Sequence, residues 1–237
     1  MEQTVLLQRL QELADPAYRT FMARLIPTVP SETVLGVRTP ALRKLAKEWY
    51  GTNEARAFLS MVPHTYFDEN QLHVFFISLE RDMDVCLSLL EAFFPHMDNW
   101  ATCDQCSPRV FQKHLDQLLP RVKSWLRSTH PYTARFGIKM LMEHFLADQT
   151  FSISFLEQVA QVDCTHYYVH MMVAWYFATA LAFQWDATLP FIVKQLLPAD
   201  TLNQAIQKAI ESRRISPPQK ELLRQYRIAG ALKTHTM

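Results

Sequence analysis

The sequence predicts an all-α protein, and three observations support this fold class. The 237 residues include 13 prolines but only 4 glycines, a balance that suits helix starts better than the tight turns between strands. Apolar residues recur at helical spacing, without the alternation and turn residues of β-hairpins. The helices are about 10 to 18 residues long with short connections, which predicts antiparallel helix pairs stacked in a HEAT- or armadillo-like solenoid.

The composition predicts one soluble domain. Hydrophobic residues make up 49% and charged residues 20% of the chain, as in ordinary globular proteins. No Gly/Ser-rich or low-complexity linker interrupts it, so we expect a single domain over residues 1–237. The N-terminus lacks the pattern of a secretion signal, and no run approaches the roughly 18 apolar residues of a membrane span. We therefore expect a cytoplasmic monomer whose cysteines are thiols.

Two helices are predicted within residues 1–26, because the Asp15-Pro16 step ends one helix and begins the next. The side chains expected to face inward from the second helix are Tyr18, Phe21, Met22 and Leu25. Later helices are predicted at 52–61, 67–80, 83–94, 98–106, 108–127, 131–146, 151–161, 165–184, 187–197, 201–212 and 216–227.

A third helix follows the segment Leu35-Gly36-Val37-Arg38, with Thr39 predicted as N-cap and Pro40 at the first helical position. Its buried face is predicted to contain Leu42, Leu45, Ala46 and Trp49. Arg43, Lys44 and Lys47 lie off this stripe. They form either a solvated cationic face or a contact to a phosphate backbone.

A second stretch of interest runs from Asp98 to Asp104. Trp100 and Asp104 are four residues apart and therefore share one face of a helix. Asp98 or Asn99 is expected to cap this helix, and the Ser107-Pro108 step should keep it short and begin another. The plain interpretation is a core tryptophan and an aspartate that complements the helix dipole. The alternative is a shared functional face.

Arg135 and Trp175 are the other two residues of interest. Arg135 lies near the start of its predicted helix, where a cation opposes the helix dipole and needs a carboxylate or phosphate partner. Trp175 lies in a helix that is apolar nearly all round and is predicted to be buried on most faces. Trp175 is therefore either a core residue or one wall of an aromatic cleft.

Basic residues are concentrated in two blocks, although the formal net charge is only +1. Residues 107–147 carry seven Lys or Arg against two acidic residues, and 201–237 carry seven against two. The segments 61–106 and 148–200 are acidic. The basic blocks form one basic stripe if the fold brings them to one face, and scattered solvated faces if it does not.

Several site classes are excluded or disfavoured. Four glycines can hardly supply a P-loop or dinucleotide-binding loop, and there is no nucleophile elbow or H-E-x-x-H motif. Cys103-Asp104-Gln105-Cys106 has C-x-x-C spacing. A zinc site would need two further ligands, for which Cys164 and His166 are the only candidates, and a redox motif would need a strand–helix setting. We expect no metal and no cofactor.

The chain resembles the AlkD-like DNA alkylation repair proteins, which are HEAT-repeat DNA glycosylases. The resemblance rests on Leu35-Gly36-Val37-Arg38-Thr39-Pro40 with Leu42-Arg43-Lys44, Asn99-Trp100 with Asp104, Arg135, Tyr168-Val169 with Trp175, and Ile206-Gln207-Lys208 with Glu211-Ser212. The chain departs from the family pattern at Ala101, where a second Asp is usual, and at Ala178 and Thr179, where the family often has an Arg.

The resemblance implies a curved solenoid whose basic concave cleft holds duplex DNA with an alkylated, cationic purine of the 3-methyladenine or 7-methylguanine type. It implies a catalytic set of Trp100, Asp104, Arg135 and Trp175. The cations predicted to contact DNA phosphates are Arg38, Arg43, Lys44, Lys47, Arg109, Lys113, Lys139, Lys208, Arg213 and Arg214. The alternatives are a non-catalytic HEAT-like protein that binds damaged or branched DNA and an armadillo-type protein scaffold.

Overall fold

A computed structural model describes residues 5–230, and within that range the chain is helical. Fourteen α-helices cover the described residues: α1 Val5–Glu12, α2 Pro16–Leu25, α3 Thr39–Trp49, α4 Asn53–Ser60, α5 Phe67–Leu79, α6 Met83–Phe93, α7 Trp100–Gln105, α8 Leu115–Trp125, α9 Pro131–His144, α10 Ile153–Ala160, α11 Tyr167–Phe183, α12 Trp185–Val193, α13 Ala199–Glu211 and α14 Pro217–Arg224. Between residues 5 and 230 the extended pairing is limited to an isolated bridge between Ala14 and Val37. The all-α prediction is confirmed.

Several helix boundaries differ from the predictions, among them α12 and α14, which end at Val193 and Arg224 instead of residues 197 and 227. The single helix expected at 108–127 is a 3-10 turn, Arg109–Lys113, followed by α8, because His114 between them has a non-helical backbone with φ −134° and ψ 46°. The N-cap of α3 is Arg38 rather than Thr39, since the Arg38 carbonyl accepts the first helical hydrogen bond, from Leu42 N at 3.1 Å.

The chain divides into two compact units, which meet in sequence at Leu115 and Asp116. The N-terminal unit contains α1 to α7, and the C-terminal unit contains α9 to α14 and nearly all of α8. We describe each unit by itself. The single domain and the solenoid stay predictions.

In the N-terminal unit, α3 packs on α5 over a shared apolar core. Leu42, Leu45 and Ala46 are buried as predicted, and Trp49 packs partly buried against the same cluster. The prediction for α2 is wrong at two positions, because Phe21 is 56% and Leu25 41% exposed. The apolar pattern of α2 is therefore wider than the face that it buries.

The segment that leads into α3 is held by a buried carboxylate. Asp68, which is fully buried at the start of α5, accepts hydrogen bonds from the amides of Leu35 at 2.6 Å, Gly36 at 3.3 Å and Val37 at 2.6 Å. Burial raises the pKa of Asp68, while the three amide hydrogen bonds oppose that rise. Gly36 has φ +88°, and a Cβ there would lie 2.6 Å from Asp15 O. The backbone before α3 is therefore fixed.

In the C-terminal unit, α11 packs against both α9 and α13. This helix is buried around most of its circumference, as its composition predicts, with Tyr176 and Phe177 fully inaccessible. Phe136 and Met140 of α9 are also fully buried. Among the described residues, we find no helix that combines the length and the apolar character needed to cross a membrane.

Candidate functional site

The start of α7 is fixed by buried hydrogen bonds. Asn99 caps the helix as predicted, since its Oδ1 accepts from the amide of Thr102 at 2.8 Å. The Thr102 hydroxyl accepts from Asn99 Nδ2 at 3.0 Å and from Gln71 Nε2 of α5 at 3.1 Å. Because Asn99 and Thr102 are fully buried, they hold the short helix rigidly against α5.

The Trp100 side chain is fixed by a hydrogen bond and by an apolar contact. The Nε1–H donates to the carbonyl of Leu25 at 2.8 Å, and the ring packs, partly buried, against the apolar cluster that includes Met22 and Phe67. Trp100 therefore combines the two environments considered from sequence. Part of it lies on the core, and part remains accessible to a ligand.

Asp104 lies on the same helix and is also partly accessible. Its neighbours Cys103 and Cys106 are fully buried. Beside it, the Arg43 guanidinium donates to Gln105 Oε1 at 2.6 Å and lies 4.5 Å from the centroid of the Phe75 ring. A predicted phosphate-binding cation therefore contacts the helix that carries Trp100 and Asp104, a contact that helical periodicity does not reveal.

The other predicted cations of the N-terminal unit are on the surface. Arg38 forms an ion pair with Asp15 at 2.7 Å, and its guanidinium lies 5.1 Å from the Tyr18 ring centroid. Lys44 lies 3.6 Å from Glu48, a weak solvated pair. The remaining exposed cations of the set are Lys47, Arg109 and Lys113. All of these side chains can meet a partner from solvent.

Arg135 is only 5% exposed. Its Nη1 donates to the carbonyl of Tyr168 at 2.5 Å, which ties the first turns of α9 and α11 together. This acceptor is a backbone carbonyl, and the predicted carboxylate or phosphate partner of Arg135 stays a prediction. An acceptor dipole serves the same electrostatic need by stabilising the cation at the helix start.

Trp175 is 42% exposed, although most residues of α11 are buried. It lines an open pocket of about 370 Å³ together with Lys208, Glu211 and Arg214. This exposure argues against a core residue, but Trp175 is the one aromatic side chain among the residues that line the pocket, so the aromatic cleft stays a prediction. Lys208 is partly buried and Arg214 exposed.

A comparison with protein families matches residues 6–210 to the family described as DNA alkylation repair enzyme. The chain belongs to this family. A search among curated proteins found no match. Membership supports a role for this protein as an enzyme of DNA alkylation repair.

In this DNA alkylation repair family member, Lys139 is buried rather than presented to solvent. Its side chain is 4% exposed, and its ammonium lies 3.2 Å from Glu143 and 5.5 Å from the centroid of the Phe136 ring. A buried, paired ammonium offers almost no surface to a phosphate, so Lys139 is withdrawn from the set of DNA contacts. Its phosphate contact had been expected from the family resemblance.

Two histidine N-caps lie beside Arg135, and the sequence argument missed both. His130 Nδ1 accepts from Thr133 N of α9, and His166 Nδ1 accepts from Tyr168 N of α11, each at 3.3 Å. Burial lowers the pKa of both imidazoles. The neighbouring His166 lowers the pKa of His130 further, and the Arg135 guanidinium lowers that of His166. In both rings Nδ1 must carry no proton, because only an unprotonated nitrogen can accept the hydrogen bond from the helix amide.

A larger cavity of about 560 Å³ adjoins the starts of α9 and α11, with His166, Lys123 and Arg127 in its lining. None of the four predicted catalytic residues lines it. Among the described residues, no group of His, Cys, Asp and Glu is arranged to hold a metal ion. The C-x-x-C pair is buried in the N-terminal unit, whereas Cys164 belongs to the C-terminal unit.

Proposed function

We propose that this protein is a DNA glycosylase that hydrolyses the N-glycosidic bond of cationic N-alkylated purines in duplex DNA. The observation that carries the proposal is the Trp100–Asp104 pair on α7, both partly accessible on a helix anchored by buried hydrogen bonds. Family membership supports DNA as the partner. We further propose a cytoplasmic monomer.

In this reaction the departing base needs no proton from the protein. An N-alkylated purine carries a positive charge, so it departs as a neutral base when the bond electrons return to its ring. The sugar meanwhile develops oxocarbenium character at C1′. Asp104 stabilises that charge and orients a water that adds to C1′, and the released proton passes to the carboxylate or to solvent.

The two tryptophans and Arg135 have different roles in this proposal. The indole of Trp100 attracts the cationic nucleoside by about 0.5–2 kcal/mol when desolvated, and the same role for Trp175 stays an implication of the resemblance. Arg135 is assigned as a positioning residue, because its guanidinium is buried against the Tyr168 carbonyl. It orders the helix starts of the C-terminal unit, and direct phosphate contact falls to the exposed cations.

Incubating the purified protein with a duplex that contains one 7-methylguanine, or one 3-methyladenine, tests the proposal. We expect time-dependent release of the free base above the spontaneous rate, measured by chromatography. An unmodified duplex of the same sequence is the control. Release at the spontaneous rate with both lesions would contradict the glycosylase assignment.

A second candidate function is non-catalytic binding of damaged or branched DNA. It is favoured by Ala101, which is only 6% exposed and places a methyl group where related proteins usually have a second carboxylate. Tight binding to lesion-bearing or branched duplexes with a steep salt dependence, in the absence of base release, would support this candidate.

A further inference from the structure

Asp98 presents an exposed carboxylate at the start of α7, directly before the residue that caps the helix. The sequence allowed either Asp98 or Asn99 as the cap, and the structure uses Asn99, which is fully buried. The Asp98 carboxylate is therefore not needed for capping. It lies two residues before Trp100, at the N-terminal end of the helix that carries Asp104.

Hydrogen bonds fix the position of this carboxylate. Asn99 Nδ2 donates to Asp98 Oδ1 at 2.7 Å and to the Thr102 hydroxyl at 3.0 Å, so both amide hydrogens are used. Because Asn99 is buried and also caps α7, it holds the Asp98 carboxylate in one orientation. Among the described residues, none donates a hydrogen bond to Asp98 Oδ2. One oxygen therefore orients the carboxylate, and the other can meet a ligand from solvent.

The end of α2 and the loop after it support both Asp98 and Trp100. Thr28 Oγ1 donates to the Asp98 carbonyl at 3.3 Å, and Trp100 Nε1 donates to the Leu25 carbonyl at 2.8 Å. Residues 98 and 100 can lie at most about 7 Å apart between Cα atoms. This separation is shorter than the Debye length of about 8 Å at physiological salt, so salt only partly screens the Asp98 charge from a ligand on the Trp100 indole.

The negative charge of Asp98 acts in opposite directions on the two charged parts of an alkylated duplex. It repels the backbone phosphates, which every duplex carries, and it attracts a purine that bears a positive charge. The exposed cations of the N-terminal unit attract phosphates whether or not a base is alkylated. Selection depends on the difference between two affinities, and a carboxylate that disfavours the uncharged base increases that difference.

We propose that Asp98 is a specificity-determining residue, which selects duplexes whose base at Trp100 is positively charged. This proposal rests on the proposed function, because it concerns the substrate of the same site. It gives the two carboxylates different roles. Asp98 acts on the affinity for the charged base, whereas Asp104 acts on the rate at which that base is released.

Fluorescence anisotropy with three short labelled duplexes tests this role. They differ in one nucleotide, which carries 7-methylguanine, its uncharged isostere 7-methyl-7-deazaguanine, or guanine, each on a 2′-fluoro sugar that slows base loss by destabilising the oxocarbenium ion. We expect the wild type to bind the 7-methylguanine duplex about tenfold more tightly than the isostere. Asp98→Asn should reduce this ratio about threefold to fivefold. An unchanged ratio in Asp98→Asn, or no preference in the wild type, would overturn the proposal.

Matched variants separate the charge of Asp98 from a structural role. Asn keeps an oxygen that can accept from Asn99, so we expect Asp98→Asn to unfold at the wild-type temperature. Asp98→Glu keeps the charge and should keep the wild-type ratio within about twofold. Asp84→Asn, at an exposed carboxylate on α6, should leave the ratio unchanged. A loss of preference in Asp98→Glu or in Asp84→Asn equal to that in Asp98→Asn would overturn the role of the Asp98 charge.

These titrations, combined with the base-release assay, separate this proposal from the proposed function. Base release by the wild type, with an unchanged binding ratio in Asp98→Asn, would overturn the role of Asp98 and leave the glycosylase intact. A ratio that depends on Asp98, without base release, would support the role of Asp98 and contradict the glycosylase. An absence of DNA binding would contradict both.

Discussion

Trp175 and Trp125 both belong to the C-terminal unit, but they differ in how much of the side chain is exposed to solvent. Trp125 is 5% exposed and packs edge-on against Phe136 at 5.5 Å between ring centroids. Trp175 is 42% exposed and lies in a pocket with two cations. The sequence could not separate the two possibilities for Trp175, because an all-apolar helix has no polar face to show which side meets solvent.

This difference predicts unequal effects of truncation. Trp175→Ala should lower the free energy of unfolding by about 2 kcal/mol, because 42% of the side chain is exposed and only the rest is lost from the packed interior, and it should weaken binding to alkylated DNA. Trp125→Ala should lower the free energy of unfolding by about 3–5 kcal/mol. Urea denaturation of both variants measures the difference, and a destabilisation by Trp175→Ala as large as that by Trp125→Ala would contradict the surface role.

At the scale of elements, the entrance to α3 depends on Gly36. Gly36 and Gly51 have similar positive φ values of +88° and +84°, but a Cβ at Gly36 would lie 2.6 Å from two backbone atoms, whereas a Cβ at Gly51 would have nothing within 4 Å. An added Cβ therefore causes backbone strain alone at Gly51, but backbone strain together with a steric clash at Gly36. Gly51 is the matched control for Gly36.

We expect Gly51→Ala to lower the free energy of unfolding by about 1–2 kcal/mol through backbone strain alone. Gly36→Ala should cost at least about 2 kcal/mol more, because Asp15 and Arg19 must move and the hydrogen bonds of Asp68 to this segment are disturbed. Thermal or urea unfolding of both variants measures this. Equal destabilisation would show that close packing at Gly36 is unimportant.

The helices were predictable because their signals are local, whereas the contacts that build the site are not. Capping residues and the Ser107-Pro108 step predicted α7 and limited its cap to Asp98 or Asn99, of which the structure uses Asn99. The Trp100–Leu25 hydrogen bond joins residues 75 positions apart, and the Arg43–Gln105 bond spans 62. Such contacts depend on packing between elements, which hydrophobic periodicity does not encode.

The same limit explains the wrong predictions for Phe21 and Leu25, and it explains why the burial of Lys139 could not be predicted. Periodicity ranks the faces of a helix by polarity, but it does not say how many faces the neighbouring helices cover. In α9 the neighbours cover the Lys139 face, and the ammonium finds Glu143 one turn away. In α2 they leave Phe21 and Leu25 exposed.

At the scale of the whole molecule, buried histidines predict a loss of stability in acid. His73 is 1% exposed, and its Nδ1 lies 2.8 Å from His64 Nε2. Burial lowers the pKa of His64 to about 4 and that of His73 to about 2, each further lowered by neighbouring histidines. Both rings are therefore neutral in the folded protein well below pH 6.5.

Stability should be complete above the unfolded-state pKa of 6.5 and should fall as the pH drops from there towards the folded-state values, because only the unfolded chain gains protons in that range. For His73 the loss at pH 5 relative to pH 7 is about 2 kcal/mol. Urea unfolding at both pH values measures it. His73→Gln should reduce the difference, and an unchanged pH dependence in that variant would contradict the assignment.

The central claim is that the Asp104 carboxylate acts on the sugar during base release. The most direct measurement is the single-turnover rate of 7-methylguanine release by Asp104→Asn, with DNA affinity measured in parallel and Asp84→Asn, an exposed carboxylate on α6, as control. We expect Asp104→Asn to keep its affinity within about threefold and to lose at least about 100-fold in rate, while Asp84→Asn matches the wild type. Excision by Asp104→Asn at the wild-type rate would contradict the account.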